Sequence, residues 1–433
     1  MQHIQGISRH QLQMSSLEDK ITADNPVRFI DAFVNHIDPV KIGFQPKILK
    51  TEGRPNFRLE VFLKLYLYGY LNGVRSSRRL EKECFRNIEV QWLLEAIYPN
   101  YHSIADFRKD NPKALKQLFK LFVSFLKDAE LIAGDTIAID GTKSRAHNSK
   151  KANYNQKKID KHKAYIDAKS QEYLDQLEQN DIQENPVAIK NIQQKIERLK
   201  QNKIKYELLE EELKNSGEPQ ISTTDADARA LLVQGQVVEV SYNIQAAVDS
   251  KHNLVVATHT INRNDKNALA AIALEVKENL ALETFTVLVD KGYHNGRELH
   301  TCQQNNITTI VAVPEQGKSN ENGTQPEYLV SKFIYNKENN SYTCPEGKTL
   351  TTTGSWHKKT GRTEESGYNF QKYRTPACKT CLVKDLCTSR NGGREIDRSQ
   401  YADAVEENHQ RYKDNPQLYR KRQEINEHIF GTI

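Results

Sequence analysis

The amino-acid sequence predicts an α+β protein, with an all-helical N-terminal domain followed by a mixed-sheet domain that carries two inserts. Three observations predict it. Residues 24–130 place apolar side chains at helical spacing; from residue 136 short β-branched runs alternate with helix-like stretches; and two segments, one almost purely charged and one holding four clustered cysteines, interrupt that alternation. These changes divide the chain into a helical domain at 1–130 and a sheet domain at 131–433, with inserts at 151–220 and 316–415.

In the first part, LEVFLKLYLYGYLNG puts Leu59, Phe62, Leu63, Tyr66 and Tyr70 on one stripe, which predicts a helix with a single core-facing side. VRSSRRLEKECFRNIEVQWLLEAI predicts a second helix with Ser77 available as N-cap, and the chain then breaks at Tyr98-Pro99-Asn100. HSIADFRKDN follows, where Ser103 and Asp106 have capping-box spacing, so the pair is expected to resemble a helix-turn-helix. Arg75, Arg78, Arg79, Arg108 and Lys109 fall around the two expected helix starts, where backbone N–H groups favour phosphate. They are candidate DNA contacts, although solvated charges on any helical bundle look the same.

Between 151 and 216, Ile189, Ile192, Ile196, Leu199 and Tyr206 keep three- and four-residue steps, and Asn185-Pro186 separates two arms, which predicts a helical hairpin. Its approach, 143–163, holds Lys143, Arg145, Lys150, Lys151, Lys157, Lys158, Lys161 and Lys163 against Asp160 alone, a local polyanion-binding candidate. Strands resume in VVEVSYNIQAAVDSKHNLVVATHTI, a predicted hairpin closed by Asp249. Then come a helix in KNALAAIALEVKENLAL, a strand in FTVLVDKGYHNG, a helix in GRELHTCQQNN and a strand in TTIVAVP.

That order, from TIAIDG at 136, is the one of a ribonuclease-H-like sheet, in which the first and fourth strands are neighbours. Asp140 and Asp290 are therefore expected at the ends of adjacent strands. Two such carboxylates repel unless a cation lies between them, and hard oxygen ligands suit Mg²⁺ or Mn²⁺ and phosphoryl transfer. Gly141 and Gly292 beside them are expected to leave room for a sugar-phosphate backbone.

Composition sets broad limits. At 433 residues the chain has room for two or three domains, and 37% hydrophobic content supports real cores. Lys and Arg exceed Asp and Glu by 62 to 56, a net +6 that decides nothing without its distribution. MQHIQGISRHQLQMSSLED lacks the pattern of a signal peptide, and no run approaches the roughly 20 apolar residues of a membrane span. A cytoplasmic protein without a membrane anchor is expected.

The blocks VRFIDAFV, KLYLYGYLNGVRSSRRLEKEC, HSIADFRKDN, AIDGTKSRAHNSK, YNIQAAVD, VLVDKGYHNG and INEHIFGTI, in this order, resemble an insertion-sequence transposase of the DDE type, the family called insertion-sequence family eleven-eighty-two. The resemblance runs from about residue 15 to the last residue. It implies metal-dependent strand cleavage and transfer on double-stranded DNA by a homo-oligomer, with Asp140 the first catalytic acid, Asp290 the second and the third a glutamate on a C-terminal helix. The broader pattern Tyr-x2-Arg-x3-Glu, begun at Tyr419 and Arg422, puts that acid at 426, which is Asn; the Glu-His-x-Phe-Gly block selects Glu427, with Glu424 the competitor. Family members carry a lysine after Gly-Thr-Ile, and the sequence stops at Ile433, so a DNA-binding remnant with impaired chemistry is the alternative expectation. A plain metal nuclease is a third, opposed by the helical domain and the basic insert.

Asp225 and Asp227 are expected in a turn or at the sheet edge, and His147 and His294, beside the two aspartates, against phosphate. Cys344, Cys378, Cys381 and Cys387 are expected to hold a structural Zn²⁺, with Cys84 and Cys302 uninvolved; four reduced thiols are the bland alternative. TTGSWHKKTGR and GYNFQKYR suit either DNA contact or the insert's small core.

Overall fold

The structure is a computed structural model, and it describes residues 8, 10–12, 14–45, 55–147, 149–182, 186–233, 237–314, 324–361 and 367–430. The chain divides into two compact units, 1–125 and 126–433.

The first unit is helical: α1 (Pro26–His36), α2 (Leu59–Leu71), α3 (Ser77–Arg86), α4 (Ile88–Leu93), α5 (Tyr101–Asp110) and most of α6 (Pro112–Asp128), whose last turn falls past residue 125. Helix α2 is buried on every side rather than along one stripe: Val61, Phe62, Leu63, Leu65, Tyr66 and Tyr68 are all inside, while Tyr70 faces out. Phe62 stacks on Phe107 at 5.0 Å, and Tyr66 donates to the Ile104 carbonyl at 2.5 Å. Each such side chain contributes roughly 1.5–3 kcal/mol by leaving water. Even Lys64 is buried, tied to Asp31 at 2.6 Å.

The expected second helix is two. The Asn87 side chain accepts from the Glu89 N–H at 2.9 Å and starts α4 after α3 has ended. The cap of α5 is likewise Asn100, which accepts from Ser103 N–H at 2.9 Å, and not Ser103 itself. A helix therefore stands between the two members of the expected helix-turn-helix. Arg108 and Lys109 lie in the last turn of α5, at its carbonyl end, so only Arg75, Arg78 and Arg79 flank a helix start.

The second unit is built on a six-stranded sheet of β1 (Thr136–Arg145), β4 (Arg229–Val233), β5 (Val237–Asp249), β6 (Val255–Ile261), β7 (Phe285–Val289) and β8 (Ile307–Val311). The order is β4-β5-β1-β7-β8, and β6 pairs with the second half of β5. Strands β1, β7 and β8 are parallel, whereas β5 is antiparallel to β1. Helix α9 (Leu269–Asn279) packs on β5 and β6, α10 (Gly296–Gln304) and α12 (Ala402–Asp414) on β8, and α13 (Pro416–Phe430) along β1, β5 and β7. Strand β1 does not stop at Asp140. Its long partner β5 holds it in register from Ile137↔Asp249 to Arg145↔Ser241, so Asp140-Gly141 is mid-strand on that side. Asp249 is fully buried and accepts from the N–H groups of Gly134 at 2.8 Å and Lys251 at 2.9 Å, closing the hairpin as expected.

Two long helices, α7 (Gln156–Ile182) and α8 (Pro186–Ser216), form a hairpin between β1 and β4, flanked by the short paired strands β2 (Asn153–Tyr154) and β3 (Ile221–Ser222). Tyr154, Ile159, Leu209, Leu213 and Ile221 make a small core at its base; Asn185, the expected break, lies outside the described residues.

The cysteine segment carries two three-stranded sheets, β9 (Ile334–Asn336), β10 (Ser341–Thr343) and β11 (Thr349–Thr351), then β12 (Trp356–Lys359), β13 (Tyr368–Tyr373) and β14 (Ile396–Ser399), with the one-turn helix α11 (Lys384–Cys387). Phe333, Tyr342, Leu350, Tyr373 and Ile396 form its core, while all four residues of β12, Trp356 included, are exposed. The segment's own sheets end at Ser399; α12 returns to the main sheet, where the Asn408 side chain bonds both N–H and C=O of Val311 at 2.9 and 3.0 Å. Buried Arg398 joins the two, donating to Tyr342, Asp403 and Glu406. Among the described residues no helix is long and apolar enough to cross a membrane.

Candidate active site

Register brings the two aspartates together. Ala138 of β1 pairs with Leu288 of β7, and two residues further along the parallel pair stand Asp140 and Asp290. Both strands are rows of fully buried Ile, Val, Leu and Ala up to that point, so the carboxylates are carried on backbone fixed by packing. Asp140 points to the α13 side: its Oδ1 accepts from Gly141 N–H at 2.8 Å and its Oδ2 from Arg422 Nη1 at 3.2 Å. Asp290 caps the turn after β7, accepting from Gly292 N–H at 2.7 Å. Burial pushes the Asp140 carboxyl above its ordinary value, opposed by Gly141 N–H and Arg422 and reinforced by Asp290 and Asp265.

Asp265 was invisible in the sequence, where INRNDKNAL has no pattern to mark it. It lies in the short turn before α9, with Oδ1 accepting from Asn243 Nδ2 at 2.8 Å and Gln245 Nε2 at 2.9 Å. Gln245 in turn accepts from the Tyr293 hydroxyl. Tyr293 is 1% exposed, and its phenol is held well above the usual value by burial and by the three aspartates around it. The sequence signal that could have found this group is the pairing of YNIQ with DKGY, both of which feed it.

The two glycines have another reason than the one expected. A Cβ on Gly141 would stand 2.8 Å from Asn243 Oδ1 and from Asp265 Oδ1, and closer still to Gln245 Nε2; on Gly292 it would meet Asp290 Oδ1 at 2.9 Å. Protein atoms fill the space in both cases, so neither glycine makes room for DNA.

On α13, Ile425 joins Ala138, Val248, Leu288 and Ile310 in the core. Arg422 and Asn426, one turn apart, share a face. Asn426 is 1% exposed and, among the described residues, both its amide atoms lack a partner. Glu427 and Glu424 are exposed, and the structure does not bring either to the aspartate pair; helical phase turns them ~140° and ~160° from Arg422. Residues 431–433 and the His428 side chain lie outside the description. Among the described residues no three of His, Cys, Asp and Glu meet as a metal-holding group. His294 is half-buried with Nε2 unpaired, its pKa lowered by burial, and His147 is exposed. Asp225 is taken by the Tyr242 hydroxyl at 2.5 Å.

The basic segment is less free than its composition suggests. Lys158 donates to the carbonyls of Lys150, Lys151 and Asn153 at 3.1, 2.9 and 2.7 Å and sits 4.4 Å over the Tyr154 ring, so it closes a loop instead of facing a polyanion. Arg145 pairs with Glu239 at 2.5 Å and Lys163 with Glu210 at 3.0 Å. Lys150, Lys151 and Lys157 are exposed, and Lys143 is half-buried. In the helical unit Arg75, Arg79 and Lys109 are exposed, while Arg78 stacks 5.1 Å over Tyr101 and Arg108 6.0 Å over Tyr66.

Cys344, Cys378, Cys381 and Cys387 line one small cavity. Burial raises the Cys387 thiol, and the other three sulfurs add to it. The donor set suits tetrahedral zinc, although the sulfurs are not drawn in to ligation distance. Cys84 and Cys302 are elsewhere, buried, with thiols pushed up to about 12.

Residues 15–110 match the family described as transposase domain (DUF772), and residues 343–433 match the family described as transposase DDE domain. No curated protein and no solved structure matches the chain. The first match covers α1 to α5; the second runs from the end of β10 through α13; neither includes Asp140 or Asp290. Together the two matches support a DDE-type insertion-sequence transposase.

Proposed function

We propose that the chain cleaves and joins DNA strands at the ends of an insertion sequence of family eleven-eighty-two, using Mg²⁺ or Mn²⁺ held by Asp140 and Asp290 on a ribonuclease-H-like sheet. The observation that carries this reading is the placement of the two carboxylates two residues beyond the last pair of adjacent parallel strands, in a chain whose two ends match transposase families. The residues fit a hard divalent cation. Each aspartate keeps lone pairs beyond its single backbone donor, and Arg422 stands against Asp140 as the counter-charge a cation would supply. When bound, the cation supplies an activated water or 3′-hydroxyl and neutralises charge on the leaving oxygen. The protein's own part is to hold the two carboxylates apart at a fixed spacing and to keep Arg422 within reach of a phosphate once it leaves Asp140. Glu427 is proposed as the third acid on the strength of its sequence block alone, since the face that α13 turns to the sheet carries Arg422 and Asn426.

DNA would be engaged by Arg75, Arg78, Arg79, Arg108 and Lys109 in the helical unit and by Lys143, Lys150, Lys151 and Lys157 beside the hairpin, as a homo-oligomer on the DNA. Zinc would be held by the four cysteines of the insert. The test of the whole is to incubate the chain with Mg²⁺ and duplex DNA from the flanks of its own gene and to map nicks. Nicks at fixed positions, lost on chelation, are expected; metal-independent or unlocated nicking would reject the proposal.

A further inference from the structure

Asp265 has no part in the chemistry just described, yet it lies behind the residues that follow both aspartates, Gly141 and Gly292. Its Oδ1 takes two amide donors from β5, Asn243 and Gln245, both fully buried. Gln245 holds the hydroxyl of Tyr293, three residues after Asp290. The same oxygen fills the space behind Gly141, the residue after Asp140, and Oδ2 lies 3.7 Å from where a Cβ of Gly292 would be. Side chains alternate along β1, so this network backs the sheet on the face opposite Asp140.

We propose that Asp265 is a positioning residue for the aspartate pair: gripped by Asn243 and Gln245, it is the post against which the Asp140-Gly141 segment and the Asp290–Tyr293 turn are set, fixing the distance a shared cation sees. This rests on Asp140 and Asp290 being the cation-binding pair. The physical basis is that an ionised acceptor of two amide donors makes charge-assisted bonds, and a satisfied buried network is stiff. Without it, Asn243 Nδ2 keeps the Arg263 carbonyl at 2.9 Å, but Gln245 Nε2 retains only Asn243 Oδ1 at 3.0 Å and is free to turn. Tyr293 then loses its acceptor, and with it the turn that presents Asp290 loosens.

Mn²⁺ binding to the full chain, followed by electron paramagnetic resonance, tests this apart from activity. Asp140→Asn should remove binding at the site. Asp265→Ala should weaken it about 10–100-fold, the range for residues that orient metal ligands. Asp265→Asn still offers an oxygen to both donors and should recover most of that loss, while Gly141→Ala, which pushes into the network from the other side, should reproduce it. Asp265→Ala binding as tightly as the unaltered chain overturns the proposal. So does Asp265→Asn as weak as Asp265→Ala, since the carboxylate would then hold the cation directly. Undiminished binding in Asp140→Asn would instead reject the cation-binding pair itself. Should Asp265→Ala fail to fold, the contrast between Asp265→Asn and Gly141→Ala decides.

Discussion

Asp140 and Asp290 stand on strands whose preceding residues are completely buried, whereas the four cysteines stand on turns over a core of five side chains. Cys344 follows β10, Cys378 and Cys381 lie in and just after a single 3-10 turn, and Cys387 ends a one-turn helix whose own Leu386 is exposed, as is Leu382 before it. The acid pair is therefore positioned by backbone before any ligand arrives. The thiols are only gathered. A ligand at the first site should change chemistry with little effect on folding, and a ligand at the second should contribute mainly to folding.

The largest effect should come from Asp140→Asn, which is expected to lower DNA cleavage more than about 100-fold, beyond the loss typical of residues that only orient metal ligands, while duplex binding by filter retention stays intact or tightens slightly. Glu427→Gln should behave alike if Glu427 is the third acid, and Glu424→Gln should cleave normally. Cleavage that survives Asp140→Asn would remove the acid pair from the chemistry.

At the other site, Cys381→Ser or zinc removal by a chelator should lower the thermal midpoint of the second unit by on the order of 5 °C, as a loss of ~2 kcal/mol would in a domain of this size. One zinc per chain by elemental analysis should disappear with it. A zinc-free chain that unfolds at the same temperature would leave the cysteines as four free thiols.

The insert should also be acid-sensitive. Glu395 is 8% exposed and meets Lys372, Arg374 and Arg390. Although burial alone would raise it, those cations hold its carboxyl down at about 2. A depressed carboxyl contributes stability that is present above its ordinary value of 4.5 and lost as pH falls towards 2. Glu395→Gln should abolish that dependence in the near-ultraviolet signal of the insert's tyrosines. An unchanged acid transition would show that the cluster is not what holds the insert.

The smallest effect concerns the basic segment, which is neither buried like the acids nor gathered like the thiols. Replacing Lys150, Lys151 and Lys157 by Gln should reduce the slope of log affinity against log salt by up to about 2.7, or 0.9 for each phosphate that is no longer neutralised. Lys158→Gln should leave that slope alone, since its ammonium already serves three carbonyls. A slope that responds to Lys158 only would reverse the assignment.

Much of this was legible in the sequence because it depends on near neighbours in the chain. β-Branched runs ending in acids, the apolar steps of the hairpin and the clustering of four cysteines are local patterns, and they located Asp140, Asp290 and the thiols. Local patterns misled wherever a cap or a strand partner decided the outcome. Asn100 sets a helix start that Ser103 could equally have claimed, Asn87 opens a second helix inside a stretch that reads as one, the helix at Ser77 is preceded by Ser76 as its cap residue, and β5 carried β1 past an Asp-Gly pair that reads as a stop.

What the sequence by itself determined is the chemistry on offer: two aspartates after buried strands, a basic stretch, a four-thiol set. Only the tertiary structure decided which of it meets. Arg422 reaches Asp140 across 282 positions of chain, Asp265 reaches Gln245 through a turn with no pattern of its own, and Gly141 is glycine because Asn243, Gln245 and Asp265 stand behind it. The face α13 turns to the sheet is chosen by the packing of Ile425 against Ala138 and Leu288, and that choice buries Asn426 and leaves Glu427 outside. Helical phase and long-range register follow from how whole elements pack, which no stretch of adjacent residues encodes.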